Sequence, residues 1–246
     1  MIAILGLALW LGQVSPGQAA YERADRAFAA GKFAEAGAAL DEALRLDAEL
    51  VPALTLGAKL AMTMNRFDVA RESLRRALRV APGSAYVHFL AGLEAYLRND
   101  LPAAQPEFER AHEIDPKDAR AALYLGLIHE SLGRTAEALK LYGSAESLET
   151  ALAGERLLFL LDRPEECRLW LTRALRLGPQ SRDAHFEAAR LALRQNDPAG
   201  AVRHGELALR LAGETTDAQV HYVLSRAYFE AGDPSKAREH AAAAKR

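Results

Sequence analysis

Residues Ala119 to Ala145 read ARAALYLGLIHESLGRTAEALKLYGSA. Apolar residues recur at helical spacing on both sides of Leu132-Gly133-Arg134, which predicts two amphipathic helices joined by a short turn. The pattern to follow is Gly126, Ala138, Tyr142 and Ala145. Shifted back by 34 residues it becomes Gly92, Ala104, Phe108 and Ala111. Two further shifts give Ala58, Ala70, Leu74, Ala77 and then Ala24, Ala36, Leu40, Ala43. A constant period of this length means stacked helical hairpins, each burying its apolar face on its neighbours. The small residues belong where the two helices of a hairpin cross, since larger ones would push them apart. Phe108 and Tyr142 then fill the space toward the next hairpin.

Beyond this stretch the register shifts twice. Cys167, Leu171, Ala174 and Pro179 repeat Ala138, Tyr142, Ala145 and Thr150 after 29 residues, so five are missing near 147–151. A tight turn or a shorter helix must absorb the gap. Ala201 and Ala208 restore the spacing of 34, and Ala237 and Ala244 follow at 36, the extra pair fitting the loop Gly213–Asp217. Asp197-Pro198 and Asp233-Pro234 are helix starts, with Asp capping open N–H groups and Pro at the first helical position. Pro102 suits a first turn in the same way. Pro106 lies deeper and should remove one helical bond or delay the helix start. The repeats expected are 20–50, 51–83, 84–118, 119–147, 148–181, 182–215 and 216–246, a single array over 20–246.

The copy His88-x2-Ala91-Gly92-x2-Ala95, Ala104-x3-Phe108-x2-Ala111, Pro116 resembles the tetratricopeptide repeat family. The resemblance implies an all-α, right-handed α-solenoid of about seven helix-turn-helix repeats. It also implies that the first helix of each repeat lines the inner wall and that this wall binds proteins. One departure is that His88, Ala122, His185 and His221 stand where the family has a bulky aromatic early in the first helix.

Composition bounds the rest. A net charge of −2 over 246 residues gives no reason to expect nucleic acid as a partner. One cysteine, Cys167, excludes an internal disulfide and a cysteine-rich metal site. It falls in the column of Ala36, Ala70, Ala104 and Ala138, so a small buried residue is expected rather than a reactive thiol. Residues 1–21 carry no charged side chain, and Ile2–Leu11 is an apolar run too short to span a bilayer comfortably. With Gly12 and Pro16 as breakers and small residues at Gly17 and Ala19, residues 1–19 resemble a secretory signal peptide, although no Lys or Arg precedes the run. The alternatives are an uncleaved anchor over residues 2–11 or a cap on repeat 1. Export from a bacterial cell, to the periplasm or beyond, is the expectation; membrane contact is expected only if the segment stays attached.

No glycine-rich phosphate loop, nucleophile elbow or paired-histidine metal helix occurs, so neither catalysis, a cofactor, a metal nor a small-molecule substrate is expected. His88, His185 and His221 are expected to pack within their own repeats. The wall that the resemblance assigns to binding has two blocks. Tyr86, Phe89, Leu93, Tyr96, Leu123 and Leu127 form an apolar one in repeats 3 and 4. Arg156, Arg190 and Arg226 share one column in repeats 5 to 7, with Arg194 and Tyr222 beside them and Phe159, Phe186 and Phe229 interleaved. The family's carboxylate clamp of Lys and Asn is missing: Asp25, Lys59 and Leu93 stand in its neighbourhood. The expected partner is a protein or peptide with acidic residues, bound in the groove. The alternative is a cell-envelope scaffold working through its convex face or its C-terminal end.

Overall fold

The computed structural model describes residues 15–213 and 217–245, and these contain fourteen α-helices and no strand. The first six are α1 (Pro16–Ala29), α2 (Phe33–Leu46), α3 (Val51–Thr63), α4 (Phe67–Val80), α5 (Ala85–Leu97) and α6 (Leu101–Ile114). Then come α7 (Ala119–Ser131), α8 (Thr135–Ser144), α9 (Leu148–Leu160) and α10 (Pro164–Leu177). The last are α11 (Arg182–Arg194), α12 (Pro198–Leu211), α13 (Ala218–Glu230) and α14 (Pro234–Ala243). They form the seven expected hairpins of an α-solenoid. Contacts divide the chain into two compact units, Met1–Asp115 and Pro116–Arg246, at the boundary of the third and fourth repeats.

The seven hairpin turns share one device. Each carries one residue in the left-handed region: Gly31, Asn65, Asn99, Gly133, Asp162, Asn196 and Gly232, with φ between 55° and 84°. Glycine, asparagine and aspartate tolerate this conformation best. The next residue then donates its N–H five positions back, as Arg134 does to His129 O at 2.8 Å and Asp197 to Ala192 O at 2.8 Å. This closes the helix end and turns the chain sharply into the second helix.

The small-residue columns are buried. Ala36, Ala70, Ala104, Ala138, Cys167 and Ala201 have no exposed surface. The ring of Tyr142 lies on Gly126, where an added Cβ would come within 2.1 Å of Cε1. Tyr142 also packs toward Ala153 and Leu157 of α9, as the fill between hairpins requires. The missing five residues are absorbed largely by α8, which has 10 residues where α6 and α10 have 14. Pro106 does not delay α6, which starts at Leu101 under the Asp100 cap and runs through it. The two-residue insertion falls on 214–216, outside the described residues.

At the N-terminus, Ser15 caps α1, and Gly17 and Ala20 are buried. The first helix therefore begins four residues before the expected boundary at Ala20, and the expected cleavage point lies inside it. Most of the 1–19 segment, including the apolar run 2–11, lies outside the described residues. Among the described residues no helix is long and apolar enough to cross a membrane.

Candidate functional site

The first helices of the last three repeats, α9, α11 and α13, pack side by side in the second unit. A cleft of about 770 Å³ opens on them, lined by Phe159 of α9, by Phe186, Arg190, Leu193 and Arg194 of α11, and by Gln219, Tyr222, Val223 and Arg226 of α13. Aromatic rings hold two of its arginines. The Arg194 guanidinium sits 3.7 Å from the centre of the Phe159 ring, and Arg190 sits 4.3 Å from the same ring and 5.7 Å from Phe186. An aromatic face under a guanidinium attracts the cation and leaves its N–H donors available to other partners. Arg190 gives one donor to Glu187 at 2.6 Å, and Arg194 gives one to Phe159 O at 2.5 Å and lies 3.4 Å from Asp162. Arg226 pairs with Glu230 at 3.4 Å and is 55% exposed; Tyr222 is 60% exposed.

Of the residues expected to bind, this cleft gathers Arg190, Arg194, Tyr222 and Arg226. Arg156 does not line it. It reaches both carboxylate oxygens of Glu130 at 3.2 Å, while Tyr142 donates to the same carboxylate at 2.9 Å. The apolar block fares less well. Phe89 is 5% exposed and packs on Phe108, with ring centres 5.8 Å apart, so it belongs to the core rather than to a wall. Tyr96 sets its edge against the same ring at 6.4 Å. Leu93 is half-buried in α5, and Tyr86 edges a hollow of about 210 Å³ with Tyr21, Asp25 and Lys59. Leu123 and Leu127 are half-buried on α7, where Leu123 joins the cluster of Ala138, Tyr142 and Leu157.

Helix α9 also carries a buried polar group outside the expected set. Helix α9 starts 29 residues after α7, so Glu155 occupies the column of Gly126. It is fully buried. The Cys167 thiol donates to Glu155 Oε1 at 3.1 Å, and among the described residues Oε2 has no hydrogen-bond partner. Burial pushes the carboxyl up to about 7 and pushes the thiol well above its usual range. Burial also raises Glu187. Cys167 is thus buried and little ionised, as expected of its column. The 29-residue shift was the signal that could have found Glu155.

The histidines do pack within their repeats, but in pairs. His88 Nδ1 lies 2.7 Å from Glu107 in repeat 3. In repeat 6, His185 Nδ1 lies 3.0 Å from His204 Nδ1, and in repeat 7, His221 Nδ1 lies 2.8 Å from His240 Nδ1. Each pair ties a first helix to its second. Among the described residues no group of three or more His, Cys, Asp or Glu side chains is placed to hold a metal ion.

The family model described as "Tetratricopeptide repeat" matches residues 55–119, 91–148 and 168–214. The chain belongs to the tetratricopeptide repeat family. Its array of repeats is a protein–protein interaction module. Among solved structures, Pseudomonas aeruginosa PilF is similar at 21% identity with a TM-score of 0.69, over 81% of this chain and 93% of that one. The C-terminal part of a repeat protein from Cytophaga hutchinsonii is similar at 12% identity with a TM-score of 0.66, over 91% and 93%. PilW, described as a widely conserved type IV pilus biogenesis factor, is similar at 20% identity with a TM-score of 0.55, over 94% and 92%. At these identities the likeness is one of fold. No curated protein matches the chain.

Proposed function

We propose that this tetratricopeptide repeat protein is a non-catalytic binding module whose cleft on α9, α11 and α13 holds an extended or helical segment of a partner protein. The observation that carries the reading is the set of arginines along an open cleft, two of them lying over the rings of Phe159 and Phe186. A carboxylate meets a fork of pre-placed donors there, while Tyr222, Leu193 and Val223 offer apolar contact. The preferred segment therefore carries acidic residues next to a bulky apolar one. Exposed ion pairs contribute only about 0.2–1 kcal/mol each, so the apolar contact supplies most of the affinity and the arginines set orientation and salt sensitivity. The test is selection from a randomised peptide library on the purified protein. The expected yield is peptides with Asp or Glu flanking Leu, Phe or Trp, whose binding falls on Arg190→Ala/Arg226→Ala and separately on Tyr222→Ala. Selected peptides that ignore both variants, with the fold intact by circular dichroism, would refute the cleft.

The place of action proposed is the bacterial cell envelope. Support comes from the uncharged apolar run of residues 2–11 and from the fold shared with the pilus biogenesis factor PilW. On this reading the segment is cleaved after Ala19, and the mature α1 keeps Ala20 and Ala24 in the core. Intact mass measurement after expression in an exporting bacterium should give a chain beginning at Ala20. A full-length chain in the soluble cytosol would overturn it.

A further inference from the structure

The helices of repeats 6 and 7 start 36 residues apart, from Arg182 to Ala218 in the first helix and from Pro198 to Pro234 in the second, although α14 has 10 residues where α12 has 14. What covers repeat 6 therefore shows what would fit repeat 7. The end face of repeat 6 is Leu193, Ala201, Val202 and Gly205, and α13 lies across it. Ala227 packs on Ala201, Leu193 and Val202. Leu224 lies so near Gly205 that a Cβ there would come within 2.7 Å of its Cδ2.

The matching face of repeat 7 is Phe229, Ala237, Arg238 and Ala241, and no element of the described chain crosses it. Phe229 is 72% exposed, the most exposed of the large apolar side chains among the described residues. A hollow of about 400 Å³ lies there between α13 and α14, floored by Ala237 and Ala241 and edged by Phe229, Pro234, Arg238 and the Arg226–Glu230 ion pair. We propose that this end face seats an amphipathic α-helix of a partner protein, laid across repeat 7 as α13 lies across repeat 6.

The differences between the two faces state what that helix carries. Over Ala237 it needs a small residue, as Ala227 is over Ala201. At the place of Leu224 it needs a side chain no larger than valine, because Ala241 has the Cβ that Gly205 lacks. Phe229 in place of Leu193 offers a broader apolar edge. Arg238 in place of Val202 puts a cation on the flank where the inner face had an aliphatic group, while Arg226 is already paired with Glu230, so the partner helix bears a carboxylate beside Arg238. This surface is separate from the cleft in all but Arg226.

The probe is a helix-stapled, fluorescent peptide with the sequence of residues 217–231 and Leu224 replaced by Val, titrated against the full chain by anisotropy. Two versions carry either Glu or Lys at the positions flanking the apolar stripe, beside Arg238. Saturable binding is expected, tighter for the Glu version. A further Ala227→Leu change in the peptide should weaken it by about tenfold, the effect of overpacking a crossing. In the protein, Phe229→Asp should abolish binding and Arg190→Ala should leave it unchanged, which separates this surface from the cleft. Lack of saturable binding, indifference to Phe229→Asp, or preference for the Lys version would overturn the proposal. So would Phe229-dependent dimerisation in sedimentation, which would make a second copy the occupant.

Discussion

Glu155 shows how one side chain sets the pH response of a repeat. It stands in a column of glycine and alanine, and the cost of burying its charge raises its carboxyl from 4.5 to about 7. The folded protein thus holds a proton that the unfolded chain releases. The stabilisation from this proton is fully present below pH 4.5 and is lost as pH rises through about 7. Glu155→Gln keeps the shape and removes the titration. It should raise stability at about pH 8 by up to about 3 kcal/mol and change little at about pH 5. Urea unfolding of both proteins at the two pH values checks this, and parallel shifts at both would refute it. Glu155 was legible in the numbering, since the 29-residue shift puts it opposite Cys167. The pattern alone does not mark it as buried, because a carboxylate seldom is and a Glu on a helix ordinarily faces solvent.

At the scale of a helix pair, the crossing sites and the histidine pairs carry separate tests. Gly126 lies under the buried ring of Tyr142, which Glu130 anchors at 2.9 Å, so the ring has little room to withdraw. Gly126→Ala should cost about 1–3 kcal/mol as overpacking. Gly57, within α3, has nothing within 4 Å of an added Cβ. Gly57→Ala should therefore stabilise by about 0.4–1 kcal/mol, from helix preference and the unfolded state. Thermal melts in which both changes act alike would contradict the packing. The histidine pairs tilt the other way from Glu155. Burial, and then the neighbouring His185 or His221, holds His204 and His240 below the usual 6.5. Their contribution is present above 6.5 and lost as pH falls through the lower folded values. His204→Gln/His240→Gln should flatten the acid side of the stability profile of repeats 6 and 7. An unchanged acid midpoint in amide exchange of α12 and α14 would count against it.

Across the molecule, the period made the fold legible. Columns of Ala and Gly, the left-handed turn positions and the Asp-Pro helix starts each recur with the repeat, and each has a local cause. The binding wall was legible only in part. Arg190, Arg194, Tyr222 and Arg226 share a cleft because their repeats keep register. Phe89 left the wall because Phe108 on the paired helix claims it, a contact between columns that periodicity alone does not rank. Arg156 was drawn away by Glu130, 26 residues earlier. The fold's helices touch mainly their next one or two neighbours along the chain. Such a chain closes only short loops as it folds, which favours fast folding from any interior hairpin outward. It also makes the grip on each helix unequal. Within the second unit, α8 to α13 each pack on the helix before and the helix after, whereas among the described residues α14 packs mainly on α13. Amide protons of α14 should therefore exchange with solvent before those of α8 to α13, and equal protection of α14 and α12 would contradict this.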